Sequence, residues 1–143
     1  MITEWLTQFS GTRWQGEGEL WLDAEGNSAE TYACKMQLNN DGVNYSWYFK
    51  DALKTGSFKF NAEGAIWHDS WHQENAVQCA YEAGAWGIFT LSHAYKVPEN
   101  PDWGWRSKLS QRPDGCLVLQ MTNIAPWGEE GRAVRMIFSK VES

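Results

Sequence analysis

The chain has little positive charge and no long apolar segment. Twelve Lys and Arg residues stand against 18 Asp and Glu residues, which gives a formal net charge of -6 at pH 7. Because nucleic-acid binding depends on basic surfaces that neutralise phosphates, this balance argues against a nucleic-acid partner. No uninterrupted apolar run approaches the roughly 20 residues that a membrane-spanning helix needs, so we expect no membrane partner.

Cysteine is also scarce. Cys34, Cys79 and Cys116 form an odd set without a Cys-x-x-Cys pair, which favours free thiols in a reducing compartment over a disulfide framework. The segment Met1 to Leu6 does not combine basic residues with an apolar run, so no secretory signal is predicted. We therefore expect a cytoplasmic protein, and the length predicts a single domain over residues 1–143.

Tryptophan, by contrast, is abundant. The chain has ten tryptophans, and 15% of its residues are aromatic. A buried tryptophan hides about 150–250 Å² of surface, and its indole N–H needs a hydrogen-bond acceptor. So many tryptophans predict either a thick aromatic core that fills the interior or a cavity lined with flat rings, and the sequence leaves both open.

Turn signals rich in Gly, Asn, Asp and Pro recur along the chain, for example at 39–42, 51–54, 61–64 and 112–115. Between these signals lie segments of about 6–11 residues, many with alternating apolar and polar side chains, which is the pattern of half-buried strands. In the segment 65–72, Trp67, Asp69 and Trp71 share one face. The segment 86–95 carries apolar side chains on both faces and does not reveal its inner one.

These patterns predict an all-β protein. About ten strands with tight turns favour an antiparallel up-and-down barrel, which has no exposed sheet edge, and a two-sheet sandwich is the alternative. One short N-terminal helix is predicted, because Ile2, Trp5, Leu6 and Phe9 follow a helical spacing. This helix could close one end of the barrel.

The first predicted strand contains Trp14, Gly16 and Gly18 within the run Gly-Thr-Arg-Trp-Gln-Gly-Glu-Gly. This run resembles the start of the first strand in lipocalin-like proteins, and the strand count is similar to that of fatty-acid-binding proteins in the same calycin superfamily. Small uncharacterised bacterial lipocalin-like proteins are the most similar group. The resemblance implies a β-barrel with an apolar cavity.

The resemblance does not supply a ligand or a cofactor. The glycine-tryptophan spacing is one residue longer than the Gly-x-Trp of lipocalins. The last histidine is His93, so the final strands offer no ligand for the haem of the similar nitrobindin-type barrels. No tyrosine follows Tyr95, so the Arg and Tyr pair that holds a fatty-acid carboxylate in fatty-acid-binding proteins is missing. We predict no cofactor.

The densest cluster of chemically active residues is 67–72. On a strand, His68 and His72 lie roughly 13 Å apart, too far to share one metal ion, so we predict no metal site. Asp69 and Ser70 point to opposite faces, which argues against a catalytic triad built from this segment. No Gly-x-Ser-x-Gly motif occurs elsewhere, so we predict no catalytic residues and favour a protein that is not an enzyme.

A carboxylate between two inward indoles must be paired or neutral, so Asp69 is either a polar handle for a ligand or a group that holds its strand in place. His93 could reach the same ligand, or it is simply a packed core residue. The predicted ligand-binding residues share presumed inner faces: Tyr45, Trp47, Trp67, Asp69, Trp71, Tyr81, His93 and Trp105.

Three functions follow from this pattern. The favoured one is a binding protein for a small apolar or aromatic ligand inside the barrel. The second is a structural or interaction protein, such as a homodimer, whose tryptophans fill the core or support assembly. The third is an isomerase or hydrolase in which Asp69 or His93 transfers a proton in the same cavity.

Overall fold

The computed structural model of the chain describes residues 7–21, 29–71, 75–82 and 87–141. Ten strands occupy most of these ranges: β1 (Arg13–Trp21), β2 (Ala29–Leu38), β3 (Gly42–Phe49), β4 (Ala52–Asn61), β5 (Gly64–Asp69), β6 (Val77–Tyr81), β7 (Phe89–Tyr95), β8 (Trp103–Gln111), β9 (Leu117–Ile124) and β10 (Glu130–Lys140).

The strands form a closed antiparallel barrel in which each strand pairs with its neighbours along the chain. Closure comes from β1 and β10, which are paired from Trp14 opposite Lys140 to Leu20 opposite Val134. Every strand therefore has a paired neighbour on both sides, which removes the edge strands of an open sheet. The predicted up-and-down barrel is confirmed, and the sandwich alternative is wrong.

The up-and-down order gives the barrel two distinct ends. The N-terminal end is where β1 begins and where β2 meets β3, β4 meets β5 and β8 meets β9. The opposite end is where β3 meets β4, β5 approaches β6, and β9 meets β10. Each strand thus runs from one end to the other, and the position of a residue along its strand tells which end it is near.

Strand alternation places one row of side chains from every strand in the interior. In β5, Ala65, Trp67 and Asp69 are buried, whereas Ile66 and His68 point outward and are exposed. This is the predicted alternation. On β7 the inner face, which the sequence left open, carries Phe89 and Leu91 and continues to His93 and Tyr95.

The turn between β3 and β4 differs from the prediction. Lys50 and Asp51 form it with φ angles of 49° and 67°, and β4 already begins at Ala52, within the turn expected at 51–54. Two central residues with positive φ produce the tight hairpin turn that matches strand twist, and Asp tolerates this conformation. The strand expected from Trp86 begins at Phe89, and Trp86 lies outside the described residues.

The described part of the predicted N-terminal helix is one helical turn over residues 7–9. Phe9 packs against the core and contacts the Trp14 ring, with 6.1 Å between ring centroids. Ile2, Trp5 and Leu6 lie outside the described residues. In the described part of the chain, no helix has the length and apolar character needed to cross a bilayer.

Candidate functional site

A chain of buried hydrogen bonds crosses the barrel interior from β5 to β3. The indole N–H of Trp67 donates to the Tyr45 hydroxyl at 2.9 Å, and that hydroxyl donates to Oδ2 of Asp69. All three side chains are buried, and Asp69 has no exposed surface. Each group therefore satisfies another in a place where an unpaired polar atom is costly.

A glycine makes this hydrogen-bond chain possible. Tyr45 lies opposite Gly56 on β4, and Gly56 lies opposite Asp69 on β5. A Cβ at Gly56 would overlap the Tyr45 ring. The Tyr45 side chain therefore lies across β4, where no side chain blocks it, and reaches the carboxylate two strands away.

The second carboxylate oxygen of Asp69 is bound to the backbone. The N–H of Trp71 donates to Oδ1 at 2.8 Å, just after the end of β5. Asp69 thus links the Tyr45 hydroxyl on β3 to the backbone just after β5. This arrangement matches one of the two predicted roles of Asp69, that of a group that holds its strand in place.

Two phenols near Asp69 remain protonated at neutral pH. Burial, with the negative charge of Asp69 and the hydrogen bond to it, raises the pKa of Tyr45 well above its ordinary value. Burial is also the largest cause that raises the pKa of Tyr32, followed by Cys34 and Asp69. Tyr45 is therefore fixed as a hydrogen-bond donor toward the carboxylate.

Flat rings surround the hydrogen-bond chain. The Trp67 ring lies nearly parallel to Phe58 on one side and Trp105 on the other, with centroids 6.0 Å and 5.5 Å away. Trp47 contacts the rings of Tyr32 and Trp71, with centroids 4.8 Å and 5.8 Å away. The chain of hydrogen bonds is thus surrounded by aromatic rings, which are able to stack on a flat ligand.

Two buried polar atoms in the interior have no hydrogen-bond partner among the described residues: the indole nitrogen of Trp47 and the hydroxyl of Ser107. Trp47 is 1% exposed and Ser107 is 1% exposed. An unsatisfied buried polar group costs about 1–3 kcal/mol. Such groups mark places where a ligand or a water molecule can supply the missing bond.

His93 and Cys79 form a neighbouring contact, with 3.5 Å between Nδ1 and Sγ. Burial lowers the pKa of His93 and raises the pKa of Cys79 to about 11. The two groups are therefore a neutral pair at pH 7, and the thiol is not activated as a nucleophile. His93 also packs against Trp67, with ring centroids 5.6 Å apart. This contact matches the alternative prediction that His93 is a packed core residue.

The structure brings most of the predicted ligand-binding residues together, and Tyr81 is the exception. Tyr81 ends β6 at the N-terminal end, is 37% exposed, and its hydroxyl donates to the backbone oxygen of Asn61. Its predicted interior position is wrong because the last residue of a short strand extends past the core. Trp71 lies beyond β5 at the opposite end and is also 37% exposed, although its ring contacts Trp47. Tyr45, Trp47, Trp67, Asp69 and Trp105 are buried.

Metal-ligating groups are dispersed in the part of the chain that the structure describes, where no cluster of three or more His, Cys, Asp or Glu side chains forms. His68 points outward from β5 and is exposed. His72 lies outside the described residues, so the His68–His72 spacing stays a prediction.

Several residues were missed by the sequence reasoning. Tyr95 donates a short hydrogen bond to Oδ1 of Asn123 near the opposite end. No sequence pattern identifies Gly56, because its importance depends on the strand register that places it between Tyr45 and Asp69. Trp127, between β9 and β10, is 71% exposed at the same end and contacts Trp103. Two cavities lined by described residues lie on the outer side of the sheet, with volumes of about 550 and 350 Å³.

Comparison with known proteins adds no family to this description. No protein-family model matches the chain, and no curated protein matches it.

Proposed function

We propose that the chain binds a small aromatic molecule inside the barrel, in the half of the interior away from the N-terminal end. The observation that carries the proposal is the buried indole N–H of Trp47, which has no acceptor among the described residues. It lies among the rings of Tyr32, Phe49 and Trp71. A flat ligand that carries an acceptor atom would stack on these rings and complete the missing hydrogen bond.

The neighbouring Asp69–Tyr45–Trp67 chain supports this proposal by fixing the polar groups in place. Tyr45 and Asp69 satisfy one another, so their hydrogen bonds hold the wall of the site without a ligand. The rings of Trp71 and Phe49, with centroids 4.6 Å apart, both contact Trp47 and are partly exposed. A ligand that enters from this end would meet aromatic surface first and the indole donor second.

We further propose a calycin-like relationship and a cytoplasmic location. The closed ten-strand barrel, with Trp14, Gly16 and Gly18 on its first strand, supports the relationship. The three cysteines are free thiols, which supports a reducing compartment.

A homodimer is a second candidate. Tyr48 and Leu53 lie directly opposite each other on the outer side of β3 and β4 and are 52% and 56% exposed. The two side chains form a contiguous exposed apolar patch, and larger patches of this kind mark protein–protein interfaces. Sedimentation of the Tyr48→Ser variant as a monomer, where the unaltered protein sediments as a dimer, would support this candidate.

Native mass spectrometry of protein purified from its own host tests the binding proposal. We expect an added mass that disappears on denaturation and that is absent from the Trp47→Phe variant, because phenylalanine keeps the ring surface and loses the donor. Trp14→Phe is the matched control. Its indole already donates to Thr12 at 2.9 Å near the N-terminal end, so the added mass should persist.

The proposal is wrong if Trp47→Phe retains the added mass as fully as Trp14→Phe. It is also wrong if the unaltered protein carries no added mass and the nuclear magnetic resonance signal of the Trp47 indole N–H does not shift when naphthol, whose oxygen can accept a hydrogen bond, is titrated to about 1 mM, a concentration that would detect weak binding.

A further inference from the structure

The larger outer cavity crosses five strands at the side of the barrel, away from the aromatic interior. Its volume is about 550 Å³, within the range of small-ligand sites. Trp14, Met36 and Tyr45 line it only from the backbone side, because their side chains are buried in the core. The side chains that project into it belong to the outward faces of β1 to β5.

These outward side chains form a continuous row in the register of the sheet. Each residue in the row lies directly opposite the next: Arg13, Gln37, Asn44, Ser57 and His68. Neighbouring strands are about 4.8 Å apart, so the row extends roughly 19 Å across the sheet. It has a nitrogen group at each end and amide or hydroxyl groups between them.

A second row lies beside the first and completes the polar lining. It contains Gln15, Lys35, Ser46 and Thr55, again with each residue opposite the next. Lys35 thus brings another cation to the middle of the cavity, between an amide on β1 and a hydroxyl on β3.

The charge of this lining is opposite to that of the whole protein. The chain has 18 acidic residues and a net charge of -6, yet none of the described residues that line the cavity is Asp or Glu. Within the described ranges, Arg13 and Lys35 form no ion pair. The adjacent 350 Å³ cavity, which shares Lys35, contains Glu17 and marks the limit of the cationic surface.

We propose that this outer cavity is a second binding site, for a small anion that also carries hydroxyl groups, of the sugar phosphate class. The guanidinium of Arg13 and the ammonium of Lys35 supply charge-assisted hydrogen bonds to phosphate oxygens. The amides and hydroxyls of the two rows supply donors and acceptors for sugar hydroxyls. The rings of Trp14 and Tyr45 are buried on the other face of the sheet, so in the described lining a flat aromatic ligand would find only the His68 imidazole, at one end of the row, to stack on.

Nuclear magnetic resonance titration of the full chain with glucose 6-phosphate tests the site. We expect amide shifts along the two rows and weaker shifts for inorganic phosphate alone, which lacks the hydroxyl groups. Arg13→Gln and Lys35→Gln should each weaken binding about tenfold, the effect of one lost charge-assisted hydrogen bond. Lys35→Arg keeps the charge and should retain binding.

Lys59→Gln is the matched control, because Lys59 is exposed on the same outer face of β4 and does not line the cavity. It makes the same change of charge and should leave the affinity unaltered. Equal loss in the Lys59 and Lys35 variants would overturn the proposal, since it would indicate general charge attraction. Absence of shifts along the two rows with either probe at about 10 mM would overturn it as well. The interior proposal is untouched by these results, because Trp47 lies on the other face of the sheet.

Discussion

The two ends of the barrel interior use the same strands and differ in chemistry. Near the N-terminal end the inner side chains are apolar: Leu38, Val43, Phe89, Leu109, Leu117 and Phe138. Toward the opposite end the inner rows carry Tyr32, Asp69, His93 and Asn123 in addition to indole rings. The half near the N-terminal end thus buries mainly apolar side chains, whereas the other half also contains polar side chains that require hydrogen-bond partners.

The chain itself completes the hydrogen bonds at the N-terminal end. The backbone N–H of Gly11 donates to Leu38 at 2.7 Å, and Leu38 donates to Thr12 at 3.0 Å. The Trp14 indole donates to the Thr12 hydroxyl. Trp47, toward the opposite end, has no such acceptor in the described part of the chain. The difference indicates that residues near the start of β1 supply the hydrogen-bond partners at the N-terminal end. At the opposite end, a bound ligand could supply the acceptor that Trp47 lacks.

The largest expected effect comes from removing the carboxylate of the polar half. Asp69→Ala leaves the buried Tyr45 hydroxyl and the partly buried Trp71 N–H without their acceptor, so we expect a loss of about 3 kcal/mol in the free energy of unfolding. Urea denaturation measures it. In the double variant with Tyr45→Phe the losses should be less than additive, because both changes remove the same hydrogen bond.

Leu117→Ala provides the comparison at the N-terminal end. Leu117 is fully buried, and we expect a similar loss of about 3 kcal/mol from the cavity it leaves. Combined with Tyr45→Phe, its effect should be additive. If Leu117→Ala and Asp69→Ala show equal coupling to Tyr45→Phe, the two halves do not differ as the structure indicates.

The next effect concerns the glycine beneath the Tyr45 ring. In Gly56→Ala the new methyl group overlaps that ring, so we expect a loss of about 2 kcal/mol and disruption of the Tyr45–Asp69 bond. Gly104→Ala is the control, because its Cβ would lie 3.4 Å from Ile124, an acceptable contact. Thermal unfolding of both variants checks the prediction, and an equal midpoint for the two would contradict it.

Alternation alone predicted much of the fold and part of the site. It predicted that Trp67 and Asp69 share a buried face, and turn chemistry predicted most strand ends. It could not align Tyr45, Gly56 and Asp69, because register between strands depends on turn lengths and packing across the barrel. Tyr81 was misplaced for a related reason, since period-2 alternation does not show where a short strand leaves the core.

The outer cavity was invisible in the sequence for the same reason. Arg13 and His68 are 55 positions apart in the chain and become members of one row only through four successive strand pairings. Their neighbours in sequence are those of ordinary wet strand faces. A pattern of single strands therefore indicates which side chains point outward, but not which of them meet.

The smallest expected effect is a pH dependence in the polar half. Burial lowers the pKa of His93 in the folded protein, while a histidine in the unfolded chain titrates near about 6.5. Below that pH the unfolded chain binds a proton at this position that the folded chain binds less readily. The free energy of unfolding should therefore fall as the pH decreases below about 6.5. Well above that pH, His93 is neutral in both states, and its effect on the pH dependence should vanish.

Urea denaturation at about pH 7 and about pH 5 measures this contribution. His93→Gln removes it, so the difference in unfolding free energy between the two pH values should be smaller than in the unaltered protein. His68→Gln, which changes an exposed histidine on the outer face, should keep the original difference. If His93→Gln and His68→Gln show the same pH dependence, His93 is not the partly buried neutral group that its contacts with Cys79 and Trp67 indicate.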